Sequence, residues 1–375
     1  MKLTLCFVCF ALFCSSTLFS QVIIKETVRF KDTIKIEKYR PSDNGFDVKQ
    51  IKMLPGGSDI LNMNEIKFLK SQTITQVDLV YSDYPKDADF SELNRKRILE
   101  LYIHLPEAFK GTMIKWNLVK QIEVKSNSEM QKHFHGFTIY YRPMPDFSEE
   151  KNEINSIVKG EKKLQDSTLI KTFTRNPSWK NMLVVMDVTG SMSPYTAQLL
   201  VWIKANQKLN TFKQIVFFND DDEKSSNQQT NIDETGIWTI DSKNSDKVID
   251  IAFEAMANGS HIENDLEAIC YALKKYPESK ANVVLIADNW EDPCDMHLLQ
   301  FLKSQKIPIK IVVCGVTDRF NTLYLDIAHA TGGSVHTMEE DLTNIATIGE
   351  GKTIKLGKFK FTMLNGKFYQ SSPKK

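Results

Sequence analysis

Cysteine is scarce in this 375-residue chain and unevenly placed: of six, Cys6, Cys9 and Cys14 fall within the first twenty residues. The other three, Cys270, Cys294 and Cys314, are an odd number, so an exported form keeps at least one free thiol. Cys270 and Cys314 sit inside apolar helix and strand patterns and read as small buried hydrophobes. No CxxC pair or Cys/His spacing argues for zinc. Charge of one sign is missing as well. Forty-eight basic residues face forty-seven acidic ones, for a formal net charge of +1, which removes the argument for nucleic acid or an anionic membrane as partner. Neither an HExxH motif nor a glycine-rich phosphate loop nor a Ser-His-Asp order is present, so the common signatures of hydrolytic and nucleotide chemistry are absent.

What is present is an ordinary globular composition, 42% hydrophobic and 25% charged, in a chain long enough for two cores. Residues 1–20 combine Lys2, an apolar run from Leu3 to Phe13 and the small residues Cys14 to Thr17. That run is too short to span a bilayer and reads as a secretory signal peptide cleaved after Ser20, which implies an exported protein of the periplasm, cell envelope or extracellular space. Lipid attachment at Cys14 is the weaker reading, because Phe13 before it is bulky.

Residues 21–145 read as a small α+β domain of unknown role. In its one clear helix Ile98, Leu101, Tyr102 and Leu105 recur at helical spacing after Ser91, and strands are expected at ITQVDLVYSDYP, IKWNLVKQIEV and HFHGFTIYYRP. His133 and His135 are two apart and would share one side of a strand, without a third ligand nearby. Arg95, Lys96 and Arg97, flanked by Glu92 and Glu100, read as a wet helix face. Residues 146–179 read as a linker or exposed helix carrying one short strand, STLIKTF.

From residue 180 to 350 strands and helices alternate, and runs such as NVVLIA and IKIVV are apolar throughout. Such strands belong in the middle of a sheet covered on both faces, so the expected fold is α/β, a doubly wound, mainly parallel sheet. GIWTID is a shorter strand placed at an edge. A final helix is expected over Leu342 to Ile348, and residues 351–375 form a tail with a hairpin about Asn365-Gly366.

In such a sheet ligands bind beyond the carboxyl ends of the strands. Three loops there carry oxygen. The apolar run Met182 to Met186 ends at Asp187, with Thr189, Gly190, Ser191 and Ser193 crowded into the turn after it. ANGSHIENDLEAI places Ser260 ahead of Glu263, Asn264 and Asp265, and Asp288 ends the strand ANVVLIAD much as Asp187 ends its own. Hard oxygen donors of this kind suit Mg²⁺, Mn²⁺ or Ca²⁺, and hydroxyls bind weakly enough to leave the ion open to an external carboxylate. The acidic run Asp220 to Asp222 lacks the glycine and distal glutamate of a helix-loop-helix calcium site and reads as a solvated turn.

The segment Asp187-Val188-Thr189-Gly190-Ser191-Met192-Ser193 resembles the DxSxS signature of the von Willebrand factor A-type domain, over roughly residues 180 to 350. The resemblance implies that Thr189 and Ser191 give hydroxyl oxygens directly to a divalent ion, Mg²⁺ before Mn²⁺ or Ca²⁺. It also implies that Asp187 and Asp288 hold the ion through water and that Ser260 stands where many members carry threonine. The implied activity is adhesion, with a protein partner offering a Glu or Asp to the metal. NPSWKNMLVVMDVTGSMSPY, FFNDDD and GSHIENDLEAI together are similar to A-domain proteins of Bacteroidetes-type bacteria, which points to a cell-envelope protein. Two other readings stand beside it: a metal-dependent hydrolase with His261 or Glu263 as general base, and a structural subunit of an envelope complex.

Overall fold

The computed structural model describes Val28, Phe30 and residues 33–143, 146–206, 209, 211–219, 236–258 and 264–371. The expected signal segment, the Asp220 to Asp222 run, Ser260, His261 and Glu263 lie outside the described residues. The chain divides into two compact units, with the boundary after Pro143. Both are mixed α/β; pairing is evenly divided between parallel and antiparallel in the first and mostly parallel in the large sheet of the second. Among the described residues no helix is long and apolar enough to cross a membrane.

The first unit comprises β1 (Thr33–Ile36), β2 (Asp47–Lys52), α1 (Met63–Leu69), β3 (Thr73–Ser82), α2 (Ser91–His104), β4 (Lys115–Gln121), α3 (Asn127–Met130) and β5 (Gly136–Arg142). Its five strands run in the order β1-β4-β3-β5-β2. The pairs β1–β4 and β3–β4 are parallel, and β5 lies antiparallel to both β3 and β2. Ile98 and Leu101 form the buried stripe of α2 and, with Leu105 just past its end, pack with Val77, Leu79, Phe137 and Ile139 of the sheet. Two expectations change here. Arg97 is fully buried instead of wet, and it donates to the carbonyls of Leu54, Pro55 and Gly57 at 2.8 to 2.9 Å, tying the loop after β2 to the helix. His133 and His135 precede β5 and are not strand neighbours; His135 is buried against the Met130 carbonyl and Ser82.

The second unit comprises α4 (Phe147–Val158), α5 (Thr168–Arg175), β6 (Met182–Asp187), α6 (Ser193–Ala205), β7 (Phe212–Phe218), β8 (Ile237–Asp241), α7 (Ser245–Ala257), α8 (Asp265–Lys275) and β9 (Val283–Asp288). After these come α9 (Leu299–Gln305), β10 (Ile309–Cys314), α10 (Leu323–Thr331), β11 (Ser334–His336), β12 (Asp341–Leu342), β13 (Thr353–Leu356), β14 (Phe359–Leu364) and β15 (Lys367–Gln370). Seven strands form one sheet in the order β12-β11-β10-β9-β6-β7-β8. Pairing is parallel from β7 through β11, and the edge strands β8 and β12 are antiparallel.

Each face of that sheet has its own core, because alternate residues of a strand point opposite ways. Leu183, Val185, Val283, Leu285 and Ile311 pack with α8, α10 and the C-terminal strands. Val184, Met186, Ile215, Ile286 and Val312 pack with α4, α5, α6 and α7.

Residues expected as a linker therefore belong to this unit: Ile154 and Ile157, three apart on α4, are buried in the second core. STLIKTF is helical, not a strand. Its β-branched and aromatic content suggests extension. Leu169 and Phe173, however, fall four apart and bury together, while Asp166 and Gln198 accept the first N–H groups of the helix at 2.7 and 2.8 Å.

Leu342 to Ile348 begins as β12 and continues as a single 3₁₀ turn, because Asp341 and Leu342 pair with β11 and Arg175 grips the Asp341 carboxylate. The hairpin at Asn365-Gly366 forms with φ of 53° and 72°, as a two-residue turn of this kind requires. With β13 it makes a three-stranded sheet whose Leu356, Phe361, Met363 and Phe368 complete the first core.

Candidate metal centre

The order of the seven strands reverses at β6. From β6 the chain passes through α6 to β7 on one side, and later returns to place β9 on the other. At such a point the two crossovers leave in opposite directions and open a crevice beyond the carboxyl ends of the strands. Both flanking strands end there in a fully buried aspartate, Asp187 on β6 and Asp288 on β9; the register pairs Met186 with Ile286, so Asp288 lies one residue further along its strand than Asp187 does.

Asp187 organises the loop after it. Its Oδ1 accepts the Thr189 N–H at 2.7 Å, the Thr189 carbonyl accepts the Met192 N–H at 2.8 Å, and Gly190–Met192 form one 3₁₀ turn that runs into α6. This tight winding brings the Thr189 and Ser191 hydroxyls to 3.3 Å from each other. Thr189 is buried and Ser191 is partly exposed, so the pair reaches from the interior toward solvent.

The loop after β9 is held from its neighbours. Asp288 Oδ1 accepts the Trp290 N–H at 3.2 Å, the Trp290 indole donates to the Gly315 carbonyl at 2.9 Å, and the Arg319 guanidinium lies 4.9 Å from the Trp290 ring centroid. Gly315 has φ of +71°, and a methyl group there would meet Asp288 Oδ1 at 3.2 Å and the Tyr195 hydroxyl at 3.5 Å. The absence of a side chain at this one position keeps space open beside the Asp288 carboxylate.

Of the residues expected in the site, Asp187, Thr189, Ser191 and Asp288 stand at the same end of two adjacent strands; Ser260 lies outside the described residues. Two further acids adjoin the centre. Asp265, the first residue of α8, is fully buried; its Oδ2 takes a 3.4 Å hydrogen bond from the Tyr324 hydroxyl, which also donates to the Asp288 carbonyl at 2.9 Å. Asp295 is buried too and accepts the Glu267 N–H at 2.6 Å, capping the same helix. Burial first, and then the negative charges of Asp295 and Asp187, push the Asp265 carboxyl well above the usual carboxylate range. Burial likewise pushes Asp295 up to about 7, against the pull of the Glu267 N–H. The sequence marks Asp265 only as an acid at a helix start, a common capping choice. Nothing local marks Asp295.

Among the described residues, no group of three His, Cys, Asp or Glu side chains is placed to hold a metal ion by itself. An all-carboxylate cage is therefore not what these residues build. They fit a hard divalent ion taken directly by hydroxyls, with carboxylates behind bound water, and two observations favour that fit. Asp265 Oδ1 is buried without a hydrogen-bond partner among the described residues, and Gly315 leaves room beside Asp288. No family model matches the chain, and no curated protein matches it.

Proposed function

We propose that this chain is an exported binding protein whose second unit is a doubly wound sheet of the von Willebrand factor A type. In this reading it grips an acidic residue of a protein partner through a divalent ion, Mg²⁺ in preference to Mn²⁺ or Ca²⁺. Thr189 and Ser191 supply direct hydroxyl oxygens, Asp187 and Asp288 act through water, and Ser260 contributes from the second loop. The observation that carries the reading is the pairing of two buried aspartates, at the ends of the two strands flanking the reversal, with a hydroxyl pair 3.3 Å apart. A site with few formal charges and neutral donors leaves the ion electrophilic, and a carboxylate from outside is its natural complement.

Binding is favoured over hydrolysis because hydroxyl and water ligands lower the pKa of bound water far less than a histidine zinc site does. The test is calorimetric titration of the metal-stripped protein with Mg²⁺, Mn²⁺ and Ca²⁺ beside an Asp187→Ala, Ser191→Ala double variant. Saturable binding present in the parent and lost in the variant is expected; equal titrations of the two proteins would refute the site. Capture of an acidic partner that depends on added metal then tests the adhesive role.

A further inference from the structure

Asp265 stands in the second of the oxygen-bearing loops but is not among the five residues expected to hold the ion, yet its surroundings connect it to that site. It opens α8, an eleven-residue helix, and its side chain is fully buried. One hydroxyl, that of Tyr324 on α10, bonds both the Asp288 carbonyl and the Asp265 carboxylate, so the end of β9 and the start of α8 share a donor. The other carboxylate oxygen, Oδ1, has no hydrogen-bond partner among the described residues. The charges acting on Asp265 are those of Asp295, Asp187 and Asp288.

Stabilisation by the helix dipole does not account for such a residue. An acid in the first turn of a helix gains far less from the dipole than taking a carboxylate out of water costs. Beside three other acids in a low-dielectric setting the cost is larger still. A neutral residue would start α8 as well, unless something positive comes to Asp265.

We propose that Asp265 is a third carboxylate of the metal centre, held toward the ion by Tyr324 and acting with Asp187 and Asp288 on its bound water. The proposal rests on the metal-binding reading above. Because the acids do not converge closely enough to form a cage, Asp265 acts on the ion through its field and through water. Two carboxylates neutralise a divalent ion and a third carries the centre to one net negative charge. The ion is then retained firmly before any partner arrives, and an incoming carboxylate must compete with Asp265.

The experiment compares the parent, Asp187→Ala, Asp265→Asn and Tyr324→Phe in the full chain, reading Mg²⁺ and Ca²⁺ affinity by calorimetry and the melting temperature of the metal-free protein. Asp265→Asn is expected to weaken both ions by about ten-fold or more, the scale of one nearby opposite charge. It is also expected to leave the metal-free melting temperature close to the parent's, because burial and the neighbouring acids already hold the Asp265 carboxyl well above the usual carboxylate range and asparagine keeps its shape. A residue that only starts a helix would leave metal affinity alone and lower the melting temperature. If Asp187→Ala abolishes binding and Asp265→Asn binds as the parent does, the role of Asp265 is overturned and the metal site stands. If Asp187→Ala binds as the parent does, or the parent does not bind, the metal reading fails and takes this proposal with it. Should Asp265→Asn not fold, Tyr324→Phe carries the test: a several-fold weaker affinity supports the proposal, and parental affinity overturns it.

Discussion

Replacing Gly315 by alanine separates two costs that the structure predicts in different amounts. At φ of +71° an L-residue is strained, by about 1–2 kcal/mol. The added methyl group also stands 3.2 Å from Asp288 Oδ1, so the carboxylate must retreat by a few tenths of an ångström. Gly332, the left-handed cap of α10, provides the control: its φ is +74°, and a methyl there meets nothing within 4 Å. Gly332→Ala therefore carries the backbone cost alone. A domain of this size loses roughly 2–4 °C of melting temperature per kcal/mol. Gly332→Ala should thus lower the transition of the second unit by about 2–8 °C with metal affinity unchanged. Gly315→Ala should lower it by a further 2–4 °C or so, from about 1 kcal/mol of crowding, and should weaken Mg²⁺ binding several-fold because Asp288 is displaced. Differential scanning calorimetry and metal titration read both quantities. Equal melting shifts and equal metal affinities in the two variants would refute the claim that Gly315 keeps the centre open.

Two other predictions concern residues away from the centre. Arg97→Met should destabilise the first unit by about 1–3 kcal/mol, because three partly buried carbonyls lose their donor while a similar volume is kept; denaturant unfolding measures it, and unchanged stability would contradict the assignment. Burial pushes the Asp326 carboxyl up to about 6, against the pull of the Phe368 N–H and Lys367. A carboxyl raised in the folded state contributes stability below its unfolded pKa of about 4 that is lost as pH rises through the folded value. Metal-free protein should therefore lose about 1–3 kcal/mol more than Asp326→Asn between pH 4 and 7; parallel stability profiles would count against it.

Local sequence determined a good part of this protein. The unbroken apolar runs at β6, β9 and β10 leave no solvent face, so their place inside a helix-covered sheet is legible without coordinates. Asn365-Gly366 is legible for a similar reason, since few other pairs accept two positive φ values in succession. Asp187, Thr189 and Ser191 lie within five residues, and their grouping is set by one turn.

What only the tertiary structure decided concerns groups whose environment comes from distant segments. Thr168–Arg175 has strand-like composition but folds as a helix, because Leu169 and Phe173 find a core and Gln198 supplies a bond from α6. Arg97 looks solvated by its charged neighbours, yet the loop at residues 54–57 arrives with three carbonyls that need a donor. Asp265 reads as an ordinary helix start until β6, β9 and α10 bring Asp187, Asp288 and Tyr324 to it. Periodicity and turn chemistry act between near neighbours and survive in a single sequence, whereas desolvation and the field of other charges depend on which strands end together. For this chain the strand order β10-β9-β6-β7 set that arrangement.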